Sequence, residues 1–192
     1  MKPIFIIEHL EPKLWPWCII EYESISKIVG SDCLWFTNIK GEKQAKLNKL
    51  GKVFSESITK FSIDMKKACV LDPLAPKQLK SSETKHFDYY IFGGILGEEK
   101  LNGRTKRELT NFLHKANKRN LGKGQFSTDN AVFVTKKVIE RNNLKKIPLI
   151  NNLEIKINKI ESIVLPYSYP LIKNKPKISQ KLLNYLKNKK GF

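Results

Sequence analysis

The chain has 192 residues, 41% of them hydrophobic and 10% aromatic, so it can bury one core and still carry an extension. Its 36 Lys and Arg against 18 Asp and Glu give a formal net charge of +18, which points to nucleic acid or another polyanion as a neighbour. No apolar run approaches the ~20 residues that span a bilayer, and the run before Glu8 is too short for a secretory signal. Three cysteines without a CxxC pair argue against a disulfide framework or a zinc site. A soluble cytoplasmic protein without a metal is expected.

In chain order, "PIFIIEHL" reads as a first strand. "WPWCIIEYESISKIVG" follows with Trp17, Ile20, Ile25, Ile28 and Val29 near helical spacing and Gly30 as its stop. "CLWFTNI" is a second strand, "EKQAKLNKLG" a short helix and "KACVLDPLA" a third strand broken at Pro73. "FDYYIFGG" is a fourth strand. Residues 100–124 then carry eight basic residues and one acid, Glu108. "STDNAVFVTKKVIERNN" has Ser127 or Thr128 to cap a helix and Ala131, Val134, Val138 and Ile139 for its apolar face. "LEIKINKI" alternates as a half-exposed strand, and "ISQKLLNYLKNKK" reads as a terminal basic helix. Residues 162–192 hold seven lysines and no acid.

Strands alternating with helices predict an α/β fold, a mostly parallel sheet with helices on both faces. Ligands of such sheets gather at the carboxyl ends of strands. "LDPLAP", "FGGILGEE" and "NLGKGQFSTD" all fall at such ends. The middle segment is not a dinucleotide fingerprint: Gly94 and Gly97 fit its last two glycines, but Phe92 takes the first position, and Glu98 and Glu99 would repel a pyrophosphate. No phosphate loop occurs elsewhere. A ligand without phosphate and with positive charge suits the segment better, since glycines admit close backbone approach. A tight turn is the plainer reading. Asp72 could bond ligand hydroxyls or make an Asx-turn ahead of Pro73, Asp129 could serve a helix start, and Arg104 could sit on a solvated basic face. The histidines form no metal pattern, and no Ser-His-Asp or catalytic cysteine constellation appears.

Read in order, "IIEHLEP", "IIEY", "LDPLA", "FDYYIFGGILGEE", "RTKREL" and "LGKGQFSTDNAV" resemble the SPOUT-superfamily methyltransferases of the ribosomal-protein arginine methyltransferase type, whose relatives are also described as RNA methyltransferases. The resemblance covers roughly residues 4–165. It implies a methyltransferase domain over 1–165 with a C-terminal trefoil knot, and a basic extension over 166–192. The implied cofactor is S-adenosylmethionine, leaving as S-adenosylhomocysteine. Its loops correspond to Leu71, Asp72 and Pro73; to Phe92, Gly93, Gly94, Ile95, Leu96 and Gly97; and to Leu121, Gly122, Gln125, Phe126, Ser127 and Thr128. An arginine acceptor is always protonated near neutrality and must be held by carboxylates, for which Glu8, Glu21, Glu98 and Asp129 are the candidates, with Arg104 beside them. Where arginine-methylating relatives carry Arg after "DP" and before "LG", this chain has Leu74 and Asn120.

The expected acceptor is a ribosomal-protein arginine. The alternatives are ribosomal or transfer RNA, contacted through the basic surface, and a catalytically silent RNA- or ribosome-binding protein. A monomer is expected rather than a homodimer. Gly94→Val is expected to abolish cofactor binding while sparing the fold.

Overall fold

The computed structural model describes residues 2–41, 43–96, 102–141, 143–158 and 161–188. Strand β1 (Ile4–His9) is buried at five of its six positions, and it needs cover on both faces because IFIIEH has no polar alternation. Helix α1 (Pro16–Val29) begins with Pro16, whose missing N–H costs nothing in a first turn. It stops at Gly30, where φ of 86° suits glycine alone. Then come β2 (Leu34–Thr37), α2 (Lys43–Leu47), β3 (Lys52–Val53), β4 (Ala68–Leu71), β5 (Tyr89–Gly94), α3 (Arg104–Glu108), β6 (Asn117–Arg119) and α4 (Thr128–Ile139). The six strands form one sheet in the order β3-β2-β1-β5-β4-β6, and every pairing is parallel.

The two faces of this sheet are covered differently. Phe5, Ile7, Leu71 and Phe92 on one face pack under α1 and α4 through Tyr22, Ile25, Val132 and Val138. Ile6, Val70 and Ile91 on the other lie under single 3-10 turns around Ile58 and under the segment Leu109–Ala116 that follows α3. The expected helices on both faces are therefore long on one side and reduced to turns on the other. Ser57 and Asp64 explain part of this, since each side chain caps a single turn by accepting from the backbone two residues on.

A second, antiparallel sheet follows, built from β7 (Leu149–Lys156), β8 (Ser162–Ile172) and β9 (Lys175–Pro176), with α5 (Gln180–Asn188) closing it. The boundary expected between residues 165 and 166 falls inside β8, which pairs with both β7 and β9. Leu153, Ile155, Leu165, Tyr167 and Tyr169 bury against Leu182 and Leu186 of α5 and against Trp17 and Ile20 of α1. Pro166 hid this strand in the sequence, because proline belongs at bulges rather than in ladders. It sits at one: the register shifts between Asn151 and Leu153, where Asn152 takes a φ of 54°. Among the described residues no helix is long and apolar enough to cross a membrane.

Candidate active site

Strands β4, β5 and β6 end side by side, and the chain leaves them in three loops that converge on one cleft. Of the residues expected there, Leu71, Asp72, Pro73, Phe92, Gly93, Ile95, Leu121, Gln125, Phe126 and Thr128 line it. Leu74, Asn102, Gly103, Arg104, Thr105, Gly124 and Ala131 complete the wall. Gly94, Leu96, Gly122 and Ser127 belong to the same loops without lining the cleft, and Gly97 and Glu98 lie outside the described residues.

Side chains brace these loops to one another. Asp72 Oδ1 accepts the Leu74 N–H at 2.8 Å and its carbonyl accepts the Ala75 N–H at 3.0 Å, which is the Asx-turn geometry. Asn120 donates to the Ala75 carbonyl at 2.7 Å and accepts the Gly122 N–H at 2.9 Å, riveting two loops together. Glu11, which sequence reasoning did not single out, accepts from the Leu96 N–H at 3.0 Å and from Arg104 Nη1 at 2.8 Å. Arg104 also grips Glu108. Its charge is thus matched by two carboxylates, and it braces the cleft wall from β1 to α3. Gly124, at φ 112°, passes so close to β8 that a Cβ would lie 2.3 Å from Ser168 Oγ. The Ser168 N–H donates to the Gln125 carbonyl at 2.7 Å, tying the second sheet to the cleft loop.

Gly94 is a packing glycine. A Cβ there would fall 2.3 Å from the Tyr22 hydroxyl and 3.0 Å from Ile7 Cγ2, and Tyr22 is buried and held by His9 Nδ1 at 2.9 Å. A Val at this position cannot spare the fold, contrary to the expectation from the sequence. Gly94→Ala is expected to destabilise by roughly 1–3 kcal/mol through overpacking, read as a lowered denaturation midpoint.

The four candidate carboxylates separate. Glu8 sits on the β1 face shared with Ile6, where Thr37 Oγ1 and the Ile58 N–H donate to its Oε2. It braces the sheet on the side away from α1 and α4. Glu98 lies outside the described residues. Glu21 and Asp129 come together, from α1 and the first turn of α4. Glu21 accepts from Trp17 Nε1 at 2.8 Å and from Thr128, a residue of the cleft wall. Burial pushes the Glu21 carboxyl from its ordinary 4.5 up to about 8, with the Asp129 charge adding to the push. Asp129 is better provided: Ser24 and Ser127 donate at 2.9 and 2.8 Å, and Lys177 Nζ pairs with Oδ2 at 3.0 Å. Lys177, Tyr167 and Tyr169, all from the second sheet and its exit, were missed in the sequence. The tyrosines carried one faint signal, the period-two spacing in "LPYSYPL"; Lys177 carried none among seven tail lysines.

The lining suits a nucleoside with a cationic centre. Leu71, Phe92, Leu121, Phe126 and Ala131 supply apolar lining, glycines at 93, 103 and 124 leave room for close approach, and the lining cation Arg104 is already matched. A parallel sheet presenting such a cleft at its strand ends is the arrangement that the resemblance to the SPOUT methyltransferases implies. The dual-specific Trm10 of Thermococcus kodakaraensis shares this fold, with a TM-score of 0.60 at 15% identity over 75% of this chain and 96% of that one. Crystal structures of the yeast arginine methyltransferase SFM1 bound to SAH and to SAM superpose with TM-scores of 0.88 and 0.89, both at 30% identity. They cover 95% and 97% of this chain and 94% and 91% of theirs. In sequence, protein arginine N-methyltransferase SFM1 of Saccharomyces cerevisiae is 32% identical over 95% of this chain and 93% of its own length. Residues 4–191 match the profile of the SFM1-like protein arginine N-methyltransferases. The chain belongs to that family.

Proposed function

We propose that this protein transfers the methyl group of S-adenosylmethionine to an arginine of a ribosomal protein. The observation that carries this reading is the buried Glu21–Asp129 pair lying one residue behind the cleft wall, through Thr128. When bound, S-adenosylmethionine supplies an electrophilic methyl on a sulfonium, and in-line displacement asks the site mainly for orientation. Leu71, Phe92, Leu121 and Phe126 would sandwich the nucleoside, with Asp72 facing its hydroxyls. Asp129, already paired with Lys177, also faces the acceptor guanidinium. A guanidinium nitrogen that gains a methyl group must give up a proton, and Glu21 is the base that receives it. Its raised pKa places it near the operating range of a general base.

A C-terminal trefoil knot, in which the loop held at Asn120 against the 72–79 turn would take part, belongs to the same proposal. A monomer in the cytoplasm completes the proposal. Calorimetry with S-adenosylmethionine is expected to give saturable heat; its absence would favour a silent binding scaffold. Tritiated methyl transfer onto ribosomal protein and onto stripped ribosomal RNA, run side by side, is expected to label protein arginine. Label in RNA alone would overturn the acceptor. In that case binding through the basic stretch 100–124 should weaken steeply with salt.

A further inference from the structure

The Glu21–Asp129 cluster has a third side that the transfer reading leaves unused. Tyr169, on β8, is 1% exposed, and its hydroxyl has no hydrogen-bond partner among the described residues. A buried hydroxyl without a partner costs roughly 1–3 kcal/mol, so such groups call for an explanation. Tyr169 packs in the buried cluster that also holds Trp17, whose Nε1 donates to Glu21 at 2.8 Å, and after burial the charges of Glu21 and Asp129 are what raise its pKa. Both carboxylates act on it, yet neither is within bonding distance. What would join them is a group with several N–H donors spread in a plane.

The charges lead to the same group. Among the described residues Asp129 pairs with the ammonium of Lys177, and no cation pairs with Glu21. Ionisation of Glu21 leaves one negative charge without a counter-ion, beside an oxygen without a donor. A guanidinium supplies one positive charge and five N–H donors. An ammonium offers no planar fork, and a nucleobase brings no charge.

We propose that Tyr169 is a substrate-contacting, specificity-determining residue, its hydroxyl oxygen accepting an N–H of the arginine that Glu21 and Asp129 hold. This rests on the arginine-transfer reading above. It makes the second sheet part of the active site: Tyr169 is adjacent in sequence to Ser168, whose N–H fastens β8 to the Gln125 carbonyl of the cleft loop.

The test is Tyr169→Phe, which removes one oxygen and preserves the ring packing. A hydroxyl with no partner gives nothing to the fold, so the denaturation midpoint of the variant should equal or exceed that of the parent. S-adenosylmethionine affinity by calorimetry should stay within about twofold. Transfer onto ribosomal protein should fall at least tenfold in kcat/KM, carried mostly by KM for the acceptor. Parental kcat/KM in a folded Tyr169→Phe protein would overturn the proposal, and so would a loss accompanied by a lowered midpoint or lost cofactor affinity. Tyr167→Phe, at the neighbouring ring, serves as a second variant; an equal acceptor defect there would deny Tyr169 its specific role. If the parent itself labels no protein arginine, the transfer reading has failed, which is a different result from a parent and a Tyr169→Phe variant that label equally well.

Discussion

Glu21→Gln is expected to lower kcat/KM for the arginine acceptor by about 10²–10³-fold, the range a positioned proton acceptor contributes. The cofactor cleft should survive, because Glu21 touches it only through Thr128. The pH dependence distinguishes this from a packing defect. In the free enzyme the carboxyl stays protonated until about pH 8, burial being the larger cause and Asp129 the next, so kcat/KM should climb with pH up to that region. Other titratable groups around it do not mimic the limb. The Tyr167 phenol and the Cys18 thiol are pushed up to about 12, and Tyr169 higher still. In the Gln variant the profile should be flat. A wild-type limb persisting in that variant would remove Glu21 from the mechanism.

The same carboxyl links stability to pH. In the unfolded chain it ionises from about 4.5, whereas in the native protein it keeps its proton to about 8. Between those values the native state binds the extra proton, so stability declines as pH rises through the window. Denaturation midpoints measured from pH 5 to 8 should show this slope in the parent and lose it in Glu21→Gln.

How much of this was legible beforehand follows from the kind of signal each residue carried. β1, α1, β4, β5 and α4 announced themselves because solid apolar runs and 3.6-residue spacing survive any tertiary context. Pro73, Gly93 and Ser127 marked strand ends and a helix start, so the three cleft loops could be placed together on the carboxyl side of a parallel sheet. β6 could not be read, since Asn117–Arg119 is three polar residues whose strand identity comes from pairing with Cys69, Val70 and Leu71. β8 could not be read through its prolines. Glu8 and Glu21 looked alike in sequence, each an acid ending "FIIE" or "CIIE". The pleat turns the first toward Ile58, and the helix turns the second toward Thr128. Gly94 passed as a ligand glycine because nothing local reveals Tyr22 standing against it.

The second large effect concerns Lys177. Its pairing with Asp129 at 3.0 Å joins side chains that are 14% and 9% exposed, and the ammonium also lies 5.3 Å from the centre of the Phe133 ring. A pair this buried gains little over a neutral, well-packed alternative, but removing one partner strands the other, at about 3–5 kcal/mol. Ser24 and Ser127 still donate to Asp129 when the lysine is gone, which places Lys177→Met near the lower end. At ~2–4 °C per kcal/mol for a chain of this size, the midpoint should fall by about 6–12 °C. Lys177→Arg should recover most of it, since a guanidinium keeps both the charge and the stacking on Phe133. Asp129→Asn combined with Lys177→Met should cost less than the sum of the two single changes, because the stranded charge is then gone. Additive losses would mean that the two groups do not depend on each other. The second sheet would then be fastened to α1 by the apolar contacts of Trp17 and Ile20 and to the cleft loop by the Ser168–Gln125 hydrogen bond, with no electrostatic clamp at the acceptor site.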